Sequence, residues 1–271
     1  MKIGVAGLGL IGGSLALALR DAHRVTGFDV DPKTREHASR AGITIAARLE
    51  QLAVADAVIV ATPLAAIVQT LTALEPHARD AVLLDVASVR APVEDHVKRT
   101  PSGPPIVGLH PMAGRTAQGF AAADPALFAG RPFLVVPTQR ADVRAMAVAG
   151  EIARAAGGVV TVCSAAEHDR IVALVSALPL ALAAALSAAA AEGVHDLGTF
   201  AGPAFRDATR VALTSLDLGE AMLGANAANV VDAIARVRGI LDELEQAVAD
   251  GDRAAIRAIL QRAAEARGAL D

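Results

Sequence analysis

Apolar positions along the chain follow two periods, and the change between them divides the sequence. As far as Cys163, short β-branched runs alternate with helical stretches. Strands are expected at Lys2 to Ala6, Arg24 to Asp29, Ala57 to Thr62, Ala81 to Val86, Pro105 to Gly108, Pro132 to Val136 and Val159 to Cys163. Between them lie helical patterns at Ile11 to Ala22, Thr34 to Ala41, Leu64 to Leu74, Pro92 to Thr100 and Ala141 to Ala156. Strands alternating with helices imply an α/β fold with a parallel sheet covered on both faces. From Ala165 onward the strand pattern stops. Ala/Leu-rich helical segments run to the C-terminus, with breaks near Gly193, Gly198 to Pro203 and Gly251. The expected organisation is an N-terminal Rossmann-type domain, residues 1–164, followed by an all-helical domain, residues 165–271.

The first strand runs directly into Gly7-Leu8-Gly9-Leu10-Ile11-Gly12, which opens a helix. This is the dinucleotide fingerprint in its required strand–turn–helix setting. Gly7 permits the tight turn, Gly9 lets the backbone approach a pyrophosphate, and Gly12 lets helix and strand pack closely. The anion would sit on the free N–H groups of the helix N-terminus. Asp29 ends the second strand, about 20 residues on, where a carboxylate binds ribose hydroxyls and repels a 2′-phosphate. NAD is therefore expected over NADP, although Lys33 and Arg35 lie nearby. Thr62 and Pro63, after the Val58-Ile59-Val60 strand, and Ser88, after the next, fall at strand ends facing the ligand crevice. Thr62 and Pro63 equally suit an ordinary turn.

Composition narrows the class. With 54% hydrophobic residues, 20% charged and a net charge of −4, the chain is neither disordered nor a basic nucleic-acid binder. Cys163 is the only cysteine, so no intrachain disulfide can form, which fits a reducing, cytoplasmic setting. The N-terminus enters a motif at once, leaving no room for a signal peptide. Ile171 to Ala191 is uncharged and long enough to span a bilayer. It contains Pro179, is rich in Ala and lacks a basic C-terminal flank, so a buried helix is expected and no membrane partner.

Of seven histidines, His23, His37, His77 and His96 fall in polar helical stretches and are expected at the surface. His195 falls in a loop. His168, in Glu167-His168-Asp169-Arg170, suits a cap or interdomain contact at the start of the first long helix of the second domain. His110 differs, because it follows the strand Ile106-Val107-Gly108-Leu109 and so faces the crevice. A neutral imidazole there can accept a hydroxyl proton while hydride leaves the same carbon.

Gly108-Leu109-His110-Pro111-Met112-Ala113-Gly114 resembles the histidine motif of the prephenate/arogenate dehydrogenase family. Gly7 to Ser14, Asp85 to Arg90, Glu167 to Pro179 and Ala201 to Ala212 resemble the same family in the same order, so the likeness covers nearly the whole chain. The resemblance implies oxidative decarboxylation of a cyclohexadienyl alcohol in tyrosine biosynthesis, with NAD as hydride acceptor. It implies His110 as the group that takes the hydroxyl proton, and Ser88 as the group that orients it. It implies Arg210 as a partner for a substrate carboxylate, with Arg206 four residues earlier as the alternative and Thr116 beside the substrate. A guanidinium grips a carboxylate with two parallel hydrogen bonds. Arg210 equally suits an interdomain or subunit ion pair.

The chain departs from the family at two places. Where many members read Ser-His-Leu-Pro-His, it has Ser176-Ala177-Leu178-Pro179-Leu180, and Thr116 replaces a glutamate. These changes bear on the choice among prephenate, arogenate and an amino analogue. Prephenate oxidation to 4-hydroxyphenylpyruvate is the leading expectation, and arogenate oxidation to tyrosine the alternative. A β-hydroxyacid dehydrogenase would want a lysine on the first long helix of the second domain, yet none occurs from Ile171 to Asp271. A non-catalytic nucleotide sensor would draw on the missing histidines, but Ser88, His110 and Arg210 are all present. Nothing after Ala254 is long enough for an appended regulatory domain. Broad Ala/Leu faces in the helical half imply a homodimer built through it.

Overall fold

The structure, a computed structural model, describes residues 1–115 and 117–270. Its first half follows the alternation read from sequence. β1 (Lys2–Ala6), α1 (Leu10–Leu19), β2 (Arg24–Phe28), α2 (Pro32–Arg40) and a short β3 (Thr44–Ile45) come first. Then follow β4 (Ala57–Val60), α3 (Leu64–Leu74), β5 (Val82–Asp85), α4 (Ala91–Arg99), β6 (Ile106–Pro111), β7 (Pro132–Pro137), α5 (Val143–Ala155) and β8 (Val159–Val162). They form one eight-stranded sheet in the order β3-β2-β1-β4-β5-β6-β7-β8. Neither β3 nor the 3-10 turn at Leu49–Val54 is visible in the pattern, being two and six residues long.

The expectation of a parallel sheet needs one correction, because β7 runs antiparallel to β6. Among the described residues between these strands the one helical element is a short 3-10 turn, Phe120–Ala122. Without a crossover helix to carry the chain back, the second strand returns in the opposite direction. All other neighbours are parallel.

Strand periodicity sorts the core onto the two faces. Val82, Leu84, Val107 and Leu109 belong to a cluster with Leu15 and Leu19 of α1 and Ala149 and Ile152 of α5. Leu83 and Ile106 belong to another, with Ile67 and Leu71 of α3 and Val93 and Val97 of α4. Both faces are thus covered, as parallel strands require. At the N-terminal end of β6, His96, Glu75, Arg140 and Thr100 form a buried network, with His96 Nε2 2.7 Å from Glu75 Oε1. The expectation that His96 is a surface residue is therefore wrong. An otherwise polar helix turns this position inward, where a carboxylate compensates it.

After β8, Ser164 caps the next helix by accepting from Glu167 N at 3.2 Å. α6 (Ala165–Val172), a π-turn at Ala173–Ala177 and α7 (Leu178–Gly193) run as one continuous helix. Pro179 has no N–H to give to Val175, and the wider turn just before it absorbs that loss. The helix is long and apolar enough to cross a membrane by composition alone. It starts from the fully buried His168 and from Asp169, both bonded into the nucleotide half. Only 33% of its apolar stretch is buried, and Leu174, Val175, Leu182 and Leu186 are exposed, so the expectation of a buried helix holds only for one face. The short α8 (Leu197–Phe200), α9 (Pro203–Thr209) and α10 (Leu216–Ala225) complete this part.

The described residues form two compact units, Met1–Asn226 and the remainder from Ala227. The second is a helical hairpin of α11 (Ala227–Ala249) and α12 (Arg253–Gly268). Its turn uses Gly251 at φ +67° and an Asp252 cap, and Arg262 pairs with Glu243 at 3.0 Å.

Candidate active site

The C-terminal ends of β1, β4, β5 and β6 share one edge of the sheet, and the strand order reverses between β1 and β4. Such a switch point opens a crevice. The glycine turn lies there, and each glycine has a different reason to be one. Gly7 sits at φ +88°, and a Cβ on it would meet the Ala61 carbonyl oxygen at 2.6 Å. A Cβ on Gly12 would overlap the Gly7 carbonyl oxygen. Around Gly9 the space is open, with nothing within 4 Å of a Cβ position. That opening lies at the start of α1, which no side chain caps. Free N–H groups facing open space fit a pyrophosphate.

Asp29 is bonded into the same turn. Its Oδ2 accepts from Leu8 N at 2.7 Å and its Oδ1 from Asp31 N at 2.9 Å. The Leu8 side chain is fully buried, so its share in the site is the backbone, whereas Leu10 and Ile11 are partly exposed. Arg35 is turned back onto the carbonyl oxygens of Asp29 and Val30 and lies over the Phe28 ring. Thr62 is half-buried, its hydroxyl 3.3 Å from that of Thr70, and Pro63 is exposed at the N-cap of α3.

His110 lies inside β6 rather than after it, paired with Leu134 across the antiparallel ladder. Its Nδ1 is 2.9 Å from His168 Nε2, and His168 Nδ1 is 2.8 Å from Asp169 Oδ1. A carboxylate can only accept, so His168 carries its proton on Nδ1. Its Nε2 then accepts from His110 Nδ1–H, which leaves the His110 Nε2 lone pair free. Burial, helped by the nearby His168 and the Arg90 cation, pushes the His110 pKa down to about 3. His110 is thus a neutral imidazole with its proton on Nδ1.

Asp169 is held in turn by the peptide N–H groups of Arg90 and Ala91, at 2.7 and 3.0 Å. Asn226 Nδ2 donates to its carbonyl oxygen at 2.7 Å. His168 and Asp169 are the site residues that sequence reading underrated, giving His168 only a cap or interdomain contact. The contact does join the two halves, but it runs straight to His110. The signal lay in Glu167-His168-Asp169, a polar cluster opening an apolar helix.

Ser88 is half-buried, and its hydroxyl has no hydrogen-bond partner among the described residues. The group bonded to His110 is His168. Arg206 and Arg210 are exposed, on α9 and in the turn Arg210–Leu213 after it, both of which pack on α7. Arg206 Nε donates to the Ala201 carbonyl oxygen at 3.2 Å, and Arg210 pairs with none of the described residues. Neither joins the His110 network. Thr116 lies outside the described residues. Ala177 and Leu180, where relatives read histidine, are buried, and Leu180 packs against Gly219 of α10.

A glycine turn with the features of a dinucleotide site and a buried imidazole chain thus lie on one edge of the sheet. Comparison with known proteins names the family. The nucleotide-binding domain of prephenate dehydrogenase matches residues 15–162, and its dimerization domain matches residues 164–262. The chain belongs to the prephenate dehydrogenase family. It is 32% identical over 84% of its length to prephenate dehydrogenase of Bacillus subtilis, and spans 65% of that protein. It is 28% identical to a cyclohexadienyl dehydrogenase of Zymomonas mobilis, covering 92% of this chain and 90% of that one. The crystal structure of Synechocystis arogenate dehydrogenase superposes with a TM-score of 0.86 at 32% identity, covering 100% of both chains.

Proposed function

We propose that the protein is a prephenate dehydrogenase, oxidising prephenate with loss of carbon dioxide to 4-hydroxyphenylpyruvate. The observation that carries this reading is the Asp169–His168–His110 chain, which leaves a neutral His110 Nε2 on the sheet edge that holds the nucleotide turn. Bound NAD would supply the hydride acceptor, held by Gly7 to Gly12 and by Asp29. NAD rather than NADP suits the Asp29 carboxylate and an Arg35 already occupied by backbone oxygens. His110 Nε2 would take the ring hydroxyl proton as hydride leaves the same carbon. Its Nδ1–H bond to His168 steadies the imidazolium that forms. Arg210, exposed and without a partner among the described residues, would pair with a substrate carboxylate, with Arg206 as the alternative. Ser88, Thr62 and Pro63 would line the crevice beside the ring, with Thr116 next to the substrate.

Arogenate is the second reading, favoured by the full-length likeness to the Synechocystis enzyme. It also fits the apolar π-turn and α7, where Ala177 and Leu180 offer no donor to a ketoacid side chain. The proposed division of labour is nucleotide binding by residues 1–164, and substrate binding and homodimer formation by residues 165–271, in a cytoplasmic enzyme. Incubation with NAD and either substrate, followed by absorbance of the reduced cofactor, tests the reading beside His110→Asn. Turnover that falls about 100-fold or more in the variant supports it. Absence of turnover with both substrates, despite NAD binding, overturns it.

A further inference from the structure

Arg90 is fully buried, where a cation is costly unless it is paired. Its guanidinium grips Asp85 with both terminal nitrogens, NH2 to Oδ2 at 3.0 Å. Asp85 ends β5 and stands in register opposite Gly108 of β6. The guanidinium lies against that glycine, and a Cβ there would come within 2.6 Å of Cζ. Gly108 is two residues before His110. The peptide N–H of the same Arg90 donates to Asp169 Oδ1, the oxygen that also accepts from His168. One residue therefore touches the strand that carries His110 and the carboxylate that sets the tautomer of His168.

We propose that Arg90 is a positioning residue for His110. It locks the end of β6 to Asp85 with its side chain and holds Asp169 with its backbone. Were Asp169 to move, His168 could carry its proton on Nε2 and donate to His110 Nδ1. The His110 proton would then sit on Nε2, and no lone pair would face the substrate. Lysine cannot replace the fork, because an ammonium is a point donor that cannot span both carboxylate oxygens. Gly108 belongs to the same device, since any side chain there displaces the guanidinium. Asp85, Arg90 and Glu94 face this cluster from β5 and α4, and His168 and Asp169 from α6.

The inference rests on the reading of His110 as the base, and its test separates the two. Full-length chain labelled with 15N in histidine would be prepared as the parent, Arg90→Lys and Gly108→Ala. The 15N shifts report the His110 tautomer without substrate, and kcat and KM are measured in parallel. The parent should show His110 protonated on Nδ1 alone. The variants should show a mixture of tautomers, with kcat reduced about tenfold or more and KM within about twofold. Gly108→Ala supplies the readout if Arg90→Lys does not fold. Parent-like 15N shifts in a folded variant would overturn the positioning role whatever the turnover. Altered tautomers with an inactive parent would leave the positioning role standing and sink the assigned reaction.

Discussion

At the scale of single residues, the chemistry turns on where one proton sits. His110 and His168 are ordinary imidazoles until Asp169 accepts from one of them, after which each nitrogen in the chain has one role. Burial keeps His110 neutral, and this has a consequence for stability. The unfolded chain takes up a proton near pH 6.5, whereas the folded site takes one up only near 3. Between those values the unfolded state binds more protons, so the contribution of His110 to stability falls as pH falls. His110→Asn removes that titration. Melting temperatures from pH 6.5 downward should therefore drop more steeply for the parent than for the variant. Parallel curves would show that His110 titrates alike in both states.

At the scale of elements, the turn between β1 and α1 shows how glycines in one motif differ. Gly12 has no room for a Cβ, because the Gly7 carbonyl occupies the space. Gly12→Ala should cost about 3 kcal/mol or more in chemical denaturation. Gly9 has room and is the N-cap of α1 at φ −69°. Gly9→Ala should stay within about 1 kcal/mol of the parent in stability. It should nevertheless weaken NAD binding at least about tenfold by calorimetry, since the new methyl enters the space a pyrophosphate would use. Equal affinities for parent and Gly9→Ala would place the nucleotide elsewhere. The motif was legible in sequence because its spacing alone specifies a strand, a tight turn and a helix. The reversal at β7 was not, because among the described residues it follows a stretch with no crossover helix and no clear periodicity.

At the scale of the whole molecule, the helical segment between Ala165 and Asn226 carries exposed apolar residues. Phe200, Leu213 and Leu216 are 73%, 77% and 88% exposed, and Leu182 and Leu186 on α7 are also exposed. Apolar area of this kind marks an association surface. Sedimentation at micromolar concentration should give twice the chain mass, and a monomer there would remove the homodimer. The exposed Arg210 lies close in sequence to this surface, so dilution into monomers should also raise KM. A KM independent of protein concentration would separate substrate binding from association.

The sequence by itself determined the alternation of strands and helices, the nucleotide turn, Asp29, and His110 at a strand end. These are local properties, encoded in periodicity and in glycines whose need is met within a few residues. It also carried the family resemblance, because motifs in a fixed order survive when spacing between them varies. Packing alone brings His168 and Asp169, 58 and 59 positions from His110, into one hydrogen-bonded chain with it. It alone buried Arg90 between β5, β6 and α6, and buried His96 beside Glu75. The reason is physical: a hydrogen-bonded chain between distant residues depends on angles and distances set by packing, and composition holds no record of them.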